Sequence, residues 1–297
     1  MADHDSQKWK GQSRGGGFGT WVFVMLVRHV GLRAAYLLLA LVVPYFVLFA
    51  PKATRASWLY HRRIRGLGRL RSIAEIFASY FVFGQCIIDK MAVGQGQEHL
   101  FNFQHENVGN LKELLNSGEP AIVLSAHVAA WECGAPFFAS FGRKMNVTMF
   151  LAEHADVQRA IDSQANDRTF NVIPIGTDGL DSVIRIKNAL EAGEFVCFMG
   201  DRFMTGSPTT KARLLNHEAT FSLAPFQLAA SMNVPVYFYF AMREPGRSYR
   251  FFFQAVRPDG SRSARFSLLN DYIAALEKVI CRYPRQWFNF YDYWNLL

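Results

Sequence analysis

The sequence predicts an α/β fold, with a mixed, largely parallel sheet covered by helices on both faces and an apolar N-terminal helical segment that anchors it to a membrane. Three observations lead there. From residue 121 onward, short apolar runs of strand length alternate with helical stretches, the pattern of strands joined by crossover helices. Hydrophobic residues make up 51% and charged residues 19% of the 297 positions, with 27 Phe, an apolar balance for a chain long enough to build a sizeable core. The basic excess is confined to one end. Residues 1–72 hold twelve Lys and Arg against two Asp, whereas the remaining 225 residues carry a net charge of −2. The chain divides on this basis into a basic, apolar anchor region, 1–72, and an α/β domain, 73–297.

Residues 1–17 are polar and end in Arg14-Gly15-Gly16-Gly17, glycines without the Lys-Ser/Thr of a phosphate loop. Phe18 to Val27 is a short apolar stretch, and Ala34 to Ala50 runs seventeen residues without a charge, interrupted by Pro44. As a helix the second covers about 25 Å, at the low edge for a bilayer span. Basic residues flank it on both sides, so a spanning helix, a re-entrant pair and an interfacial helix all remain open. Ser72 to Leu115 reads as helical, with Gly84 as a possible break, and Asn116 to Pro120 is a turn cluster. The alternating series then runs as strand Ala121–Ser125, helix near Trp131–Phe141, strand Val147–Leu151 and helix Glu153 to about Asn166. It continues with strand Val172–Ile175, helix Leu180–Glu191, strand Phe195–Met199 and helix Ser222–Met232. Strands Val234–Met242 and Tyr249–Val256 and helix Phe266–Cys281 close it.

A basic chain invites a nucleic-acid reading, but no helix-turn-helix, zinc or RNA-binding signature occurs, and the charge flanks apolar sequence instead. No nucleic-acid partner is expected. The four cysteines, Cys86, Cys133, Cys197 and Cys281, are scattered and form no C-x-x-C pair. That argues against a disulfide framework and for a reducing cytosolic face.

Two segments carry chemistry. The strand Ala121–Ser125 delivers His127, with Glu132 five positions later, a base and a carboxylate that could orient it. On one helix five residues would set the two side chains about 140° apart, so they meet only if the chain turns between them. The same spacing argues against a metal site. The strand Phe195–Met199 delivers Gly200-Asp201-Arg202. In open α/β sheets, sites collect beyond the carboxyl ends of the strands, which places both segments on one edge. Arg202 offers a fork of donors for phosphate or carboxylate, and a structural ion pair is its alternative.

His127-x4-Glu132 after a hydrophobic strand resembles the H-x4-D/E signature of the lysophospholipid acyltransferase superfamily. The apolar anchor with basic flanks, the strand ending in Gly200-Asp201-Arg202 and the aromatic tail Tyr283-Pro284-Arg285-Gln286-Trp287 resemble its lipid A late acyltransferase branch. The resemblance implies transfer of an acyl group from an acyl carrier protein or coenzyme A thioester to a hydroxyl or amine of a membrane lipid or glycolipid, with no cofactor and no metal. It implies His127 as general base, Glu132 as its charge partner, Gly200, Asp201 and Arg202 at the substrate, and a place on the bacterial inner membrane facing the cytoplasm. The segment Phe203 to Pro208 is closer to a less characterised branch, and the chain closes at Asp292-Tyr293-Trp294-Asn295-Leu296-Leu297 without an extended basic end; the acceptor is left open. A lipid-binding protein on the same fold and a thioesterase or lipid hydrolase are the alternatives.

Overall fold

The computed structural model describes residues 17–107, 109, 112, 116–134, 144–150, 170–175, 179–203, 207–294 and 296. Its centre is a seven-stranded sheet: β1 (Asn102–Glu106), β2 (Ala121–Ser125), β3 (Met145–Phe150), β4 (Asn171–Ile175), β5 (Phe195–Met199), β8 (Val236–Glu244) and β9 (Ser248–Val256). The spatial order is β1-β9-β8-β2-β5-β3-β4. All neighbours are parallel except the β8–β9 pair, which is antiparallel.

Both faces of this sheet are buried, as the continuous apolar runs of β2 and β5 require. Ile122, Leu124, Val196, Phe198, Phe238 and Phe240 point to one face. There they meet α6 (Ala224–Met232) and α7 (Ala264–Arg282). Helix α7 buries Leu268, Leu269, Tyr272, Leu276, Val279 and Ile280, a stripe at helical spacing. Val123, Cys197, Tyr239, Tyr249 and Phe251 point to the other face, against the N-terminal helices. Those helices are α1 (Gly17–His29), α2 (Leu32–Phe49), α3 (Pro51–Leu59), a π turn (Tyr60–Ile64) and α4 (Arg69–Val93). A further helix, α5, spans Gly179–Glu191.

The strand and helix expectations from residue 121 onward hold wherever strands and α-helices are described, with boundaries shifted by at most two positions. The helix expected near Trp131–Phe141 starts as a 3-10 turn over Trp131–Gly134, and its remainder lies outside the described residues, as does the helix expected from Glu153 to Asn166. Three corrections apply elsewhere. Gly84 does not break α4; the helix runs through it, and a Cβ there would come within 2.3 Å of the Leu39 side chain. The missing side chain is what lets α2 and α4 approach. The helical reading from Ser72 to Leu115 is interrupted after Val93, because Asn102–Glu106 is an edge strand drawn into extended form by parallel pairing with β9, and the described residues 109 and 112 beyond it are helical again. The third is an added hairpin, β6 (Thr209–Leu214) and β7 (His217–Ser222). Its turn residues Leu215 and Asn216 both have positive φ, as the favoured two-residue hairpin turn requires. Leucine is a poor signal for that conformation, and here its amide is held by the Glu277 carboxylate of α7.

The N-terminal helices are not a detachable tail. Asp89 of α4 is fully buried, receives the guanidinium of Arg243 on β8 at 2.8 Å and the hydroxyl of Tyr249 on β9 at 2.7 Å, and also binds Tyr36 of α2. Near the other end of α4, Glu75 accepts two hydrogen bonds from Arg285 at 2.8 Å. Removing one partner of a buried ion pair strands the other charge, at a typical cost of about 3–5 kcal/mol. Asp89→Ala is therefore expected to lose about that much stability in denaturant unfolding. A change below about 1 kcal/mol would mean that this cluster behaves like a solvent-exposed pair.

Candidate active site

Strands β2 and β5 lie side by side and in register, Ser125 against Met199. Their carboxyl ends therefore release His127 and Asp201 next to each other, 74 positions apart in sequence. The His127 backbone N–H donates to Asp201 Oδ2 at 3.0 Å, and His127 Nδ1 lies 2.8 Å from Asp201 Oδ1. The Asp201 side chain is fully buried and that of His127 is 23% exposed. An ionised carboxylate can only accept, so Nδ1 carries the proton and Nε2 is left as the basic nitrogen. Burial pushes the Asp201 carboxyl up, but the charge and hydrogen bonds of His127 and the charge of Arg202 outweigh it and hold it below its ordinary value. The pair thus has the geometry a base and its orienter would need, closed on the acid side and open at the ring.

The chain segment 284–291 straps this pair in place. Phe288 N donates to the carbonyl of His127 at 2.8 Å, Ala129 N donates to the carbonyl of Gln286 at 2.9 Å, and Val128 bridges Trp287 in antiparallel fashion. The indole N–H of Trp287 donates to Asp201 Oδ2 at 3.2 Å, so that oxygen accepts two hydrogen bonds. The turn after His127 is tight, with Ala129 at a φ of 41°, and the chain does reverse between His127 and Trp131.

The carboxylate that the described residues place at Nδ1 is Asp201. Glu132 follows in the 3-10 turn, and its side chain lies outside the described residues. Asp201, expected at the substrate, is instead sealed behind His127. Gly200 is a packing position: its N–H donates to the Ser125 carbonyl at 2.8 Å, and a Cβ would stand 2.7 Å from the Tyr272 ring. Arg202 is half-buried against the strap, with an Nη 3.5 Å from the Phe288 carbonyl and its guanidinium carbon 5.7 Å from the centre of the Tyr291 ring. Trp287 was missed as a member of the site, although the aromatic tail was singled out. A tryptophan near a chain end carries no signal of which carboxylate it will meet.

Residues 74–295 match the family described as bacterial lipid A biosynthesis acyltransferase. The chain belongs to this family. No curated protein matches it. As a lipid A biosynthesis acyltransferase family member it is an acyltransferase in general terms, and the matched region contains β1 to β9, the His127–Asp201 pair and the strap. By length and composition α2 and α4 are each able to cross a membrane, but α4 carries the buried Asp89 cluster and packs on the sheet. The described residues contain no group of three or more His, Cys, Asp or Glu able to hold a metal.

Proposed function

We propose that this protein transfers a fatty acyl group from a carrier-protein or coenzyme A thioester to a hydroxyl or amine of a lipid or glycolipid, with His127 as general base. One observation carries the reading: His127 Nδ1 is held by a buried carboxylate while the ring stays partly exposed at the sheet's carboxyl edge. A thioester carbonyl is already activated, so the remaining demands are alignment of two substrates and removal of one proton during attack. His127 takes that proton at Nε2, and Asp201 stabilises the imidazolium. Arg202 adds positive charge beside the pair, which suits a phosphate-bearing donor or acceptor. Glu132, five positions after the base, is kept as a second acidic group of the site.

The membrane reading rests on α2. Its face with Leu32, Ala35, Leu39, Val43 and Val47 is buried in the protein, whereas Leu37 (72%), Leu41 (77%) and Leu48 (72%) line an exposed face. Lys52, Arg55, Arg63, Arg69 and Arg71 follow it on the surface. A helix fixed to the domain on one side and apolar on the other, with a basic rim, suits an interfacial position against anionic lipid on the cytoplasmic face of the inner membrane.

The test is thioester turnover by the purified full-length protein with and without a lipid extract. Thiol release that needs lipid, with acyl lipid formed in equal amount, is the expected result. Equal release without lipid would make the protein a thioesterase, and no release would favour a lipid-binding role.

A further inference from the structure

Ser125 is the last residue of β2, two positions before His127, and its hydroxyl is buried without a hydrogen-bond partner. Its backbone is fully engaged, since the carbonyl accepts from Tyr272 Oη at 2.8 Å and from Gly200 N at 2.8 Å. The side chain lines a narrow crevice together with Val123, Trp131, Met145, Cys197, Met199 and Tyr239. Val123 pairs with Cys197 and Ser125 with Met199. The crevice therefore follows two adjacent strands as far as their carboxyl ends, and His127 lies two residues beyond Ser125. Its walls are apolar, and the polar tips of Tyr239 and Cys197 are spoken for or inert. Tyr239 donates to the Trp131 carbonyl at 3.1 Å, and burial pushes the Cys197 thiol up, so it stays neutral. An unmade hydrogen bond in such a place is destabilising, and a bound ligand removes that cost by supplying the missing partner.

We propose that Ser125 is a further catalytic residue, whose hydroxyl donates to the thioester carbonyl oxygen while the start of the acyl chain lies against the apolar walls. The proposal rests on the acyl-transfer reading above. As the acceptor oxygen bonds to the carbonyl carbon, its proton passes to His127 Nε2. The carbonyl π pair moves onto oxygen, and Ser125 binds the resulting oxyanion. Collapse re-forms the carbonyl and breaks the carbon–sulfur bond. The departing thiolate then takes the proton back from the imidazolium, and no other reactant is needed.

The experiment uses full-length Ser125→Ala and Ser125→Thr beside His127→Ala, with lauroyl-coenzyme A, lauroyl-carrier protein and a lipid extract. Loss of one oxyanion donor lowers kcat by ~10²–10³, so Ser125→Ala should show that fall with KM little changed, and Ser125→Thr should recover part of it. The melting temperature of Ser125→Ala should be unchanged or raised, because an unpaired buried hydroxyl has gone. Ser125→Ala within threefold of wild type, or slow only in proportion to a lowered melting temperature, overturns the proposal. If His127→Ala is inactive in that same assay, the acyl-transfer reading survives that failure. A wild type that releases no thiol from either donor, or a fully active His127→Ala, overturns both.

Discussion

His127→Ala is expected to lower acyl transfer by ~10²–10⁴, the usual contribution of a positioned general base. The structure adds a second consequence. Asp201 is fully buried behind His127, so removing the ring leaves a charged carboxylate with, among the described residues, the backbone N–H of position 127 and the Trp287 indole as its donors. The variant should therefore melt at a lower temperature than wild type as well as react slowly. The rate has to be compared per folded molecule, for example by scaling to the circular dichroism amplitude of each preparation. Transfer within about threefold of wild type on that scale would remove His127 from the mechanism.

Asp201→Asn should be nearly as damaging. The amide can keep its place in the cluster, but it can donate to Nδ1, which moves the ring proton to Nε2 and abolishes the base. The same substitution in a Ser-His-Asp triad lowers kcat by about 10⁴, and a fall of ~10³–10⁴ is expected here. Glu132→Gln is the informative comparison. If it is inactive while Asp201→Asn retains activity, the base works with its near neighbour in sequence and the pairing read from the fold is wrong. Stability supplies an independent check. The folded-state carboxyl of Asp201 sits below its ordinary value, so its ionised form contributes stability that is present above the unfolded-state value and lost as pH falls through the folded-state one. Unfolding free energy measured from neutral to acid pH should accordingly decline less in Asp201→Asn than in wild type over that acid range.

Strand Phe195–Met199 and strand Ala121–Ser125 were legible because each is a five-residue apolar run with polar punctuation. Such runs can hide their backbone only inside a covered sheet. Helix α7 was legible from its apolar spacing, and the carboxyl-edge location of both His127 and Gly200-Asp201-Arg202 followed from the rule that parallel strands release their loops on one side. Strand β1 and the β6–β7 hairpin were not legible. Asn102–Glu106 is polar and becomes extended through its neighbour β9, and the hairpin turn uses Leu215, whose left-handed backbone is stabilised by a carboxylate from a distant helix.

The histidine proposed as base was thus legible in the sequence: it stands at the end of a buried strand, in a chain with an apolar, basic start. The identity of its carboxylate partner was decided by the tertiary structure alone. Spacing along the chain favours Glu132 because proximity in sequence is all that a sequence offers. Strand order brings β5 against β2, and the strap from Gln286 to Phe288 closes over both, so the group that reaches Nδ1 comes from 74 residues away. A charge–charge contact depends on distance in space, and in a parallel sheet the nearest strand in space is separated in sequence by whole crossover connections.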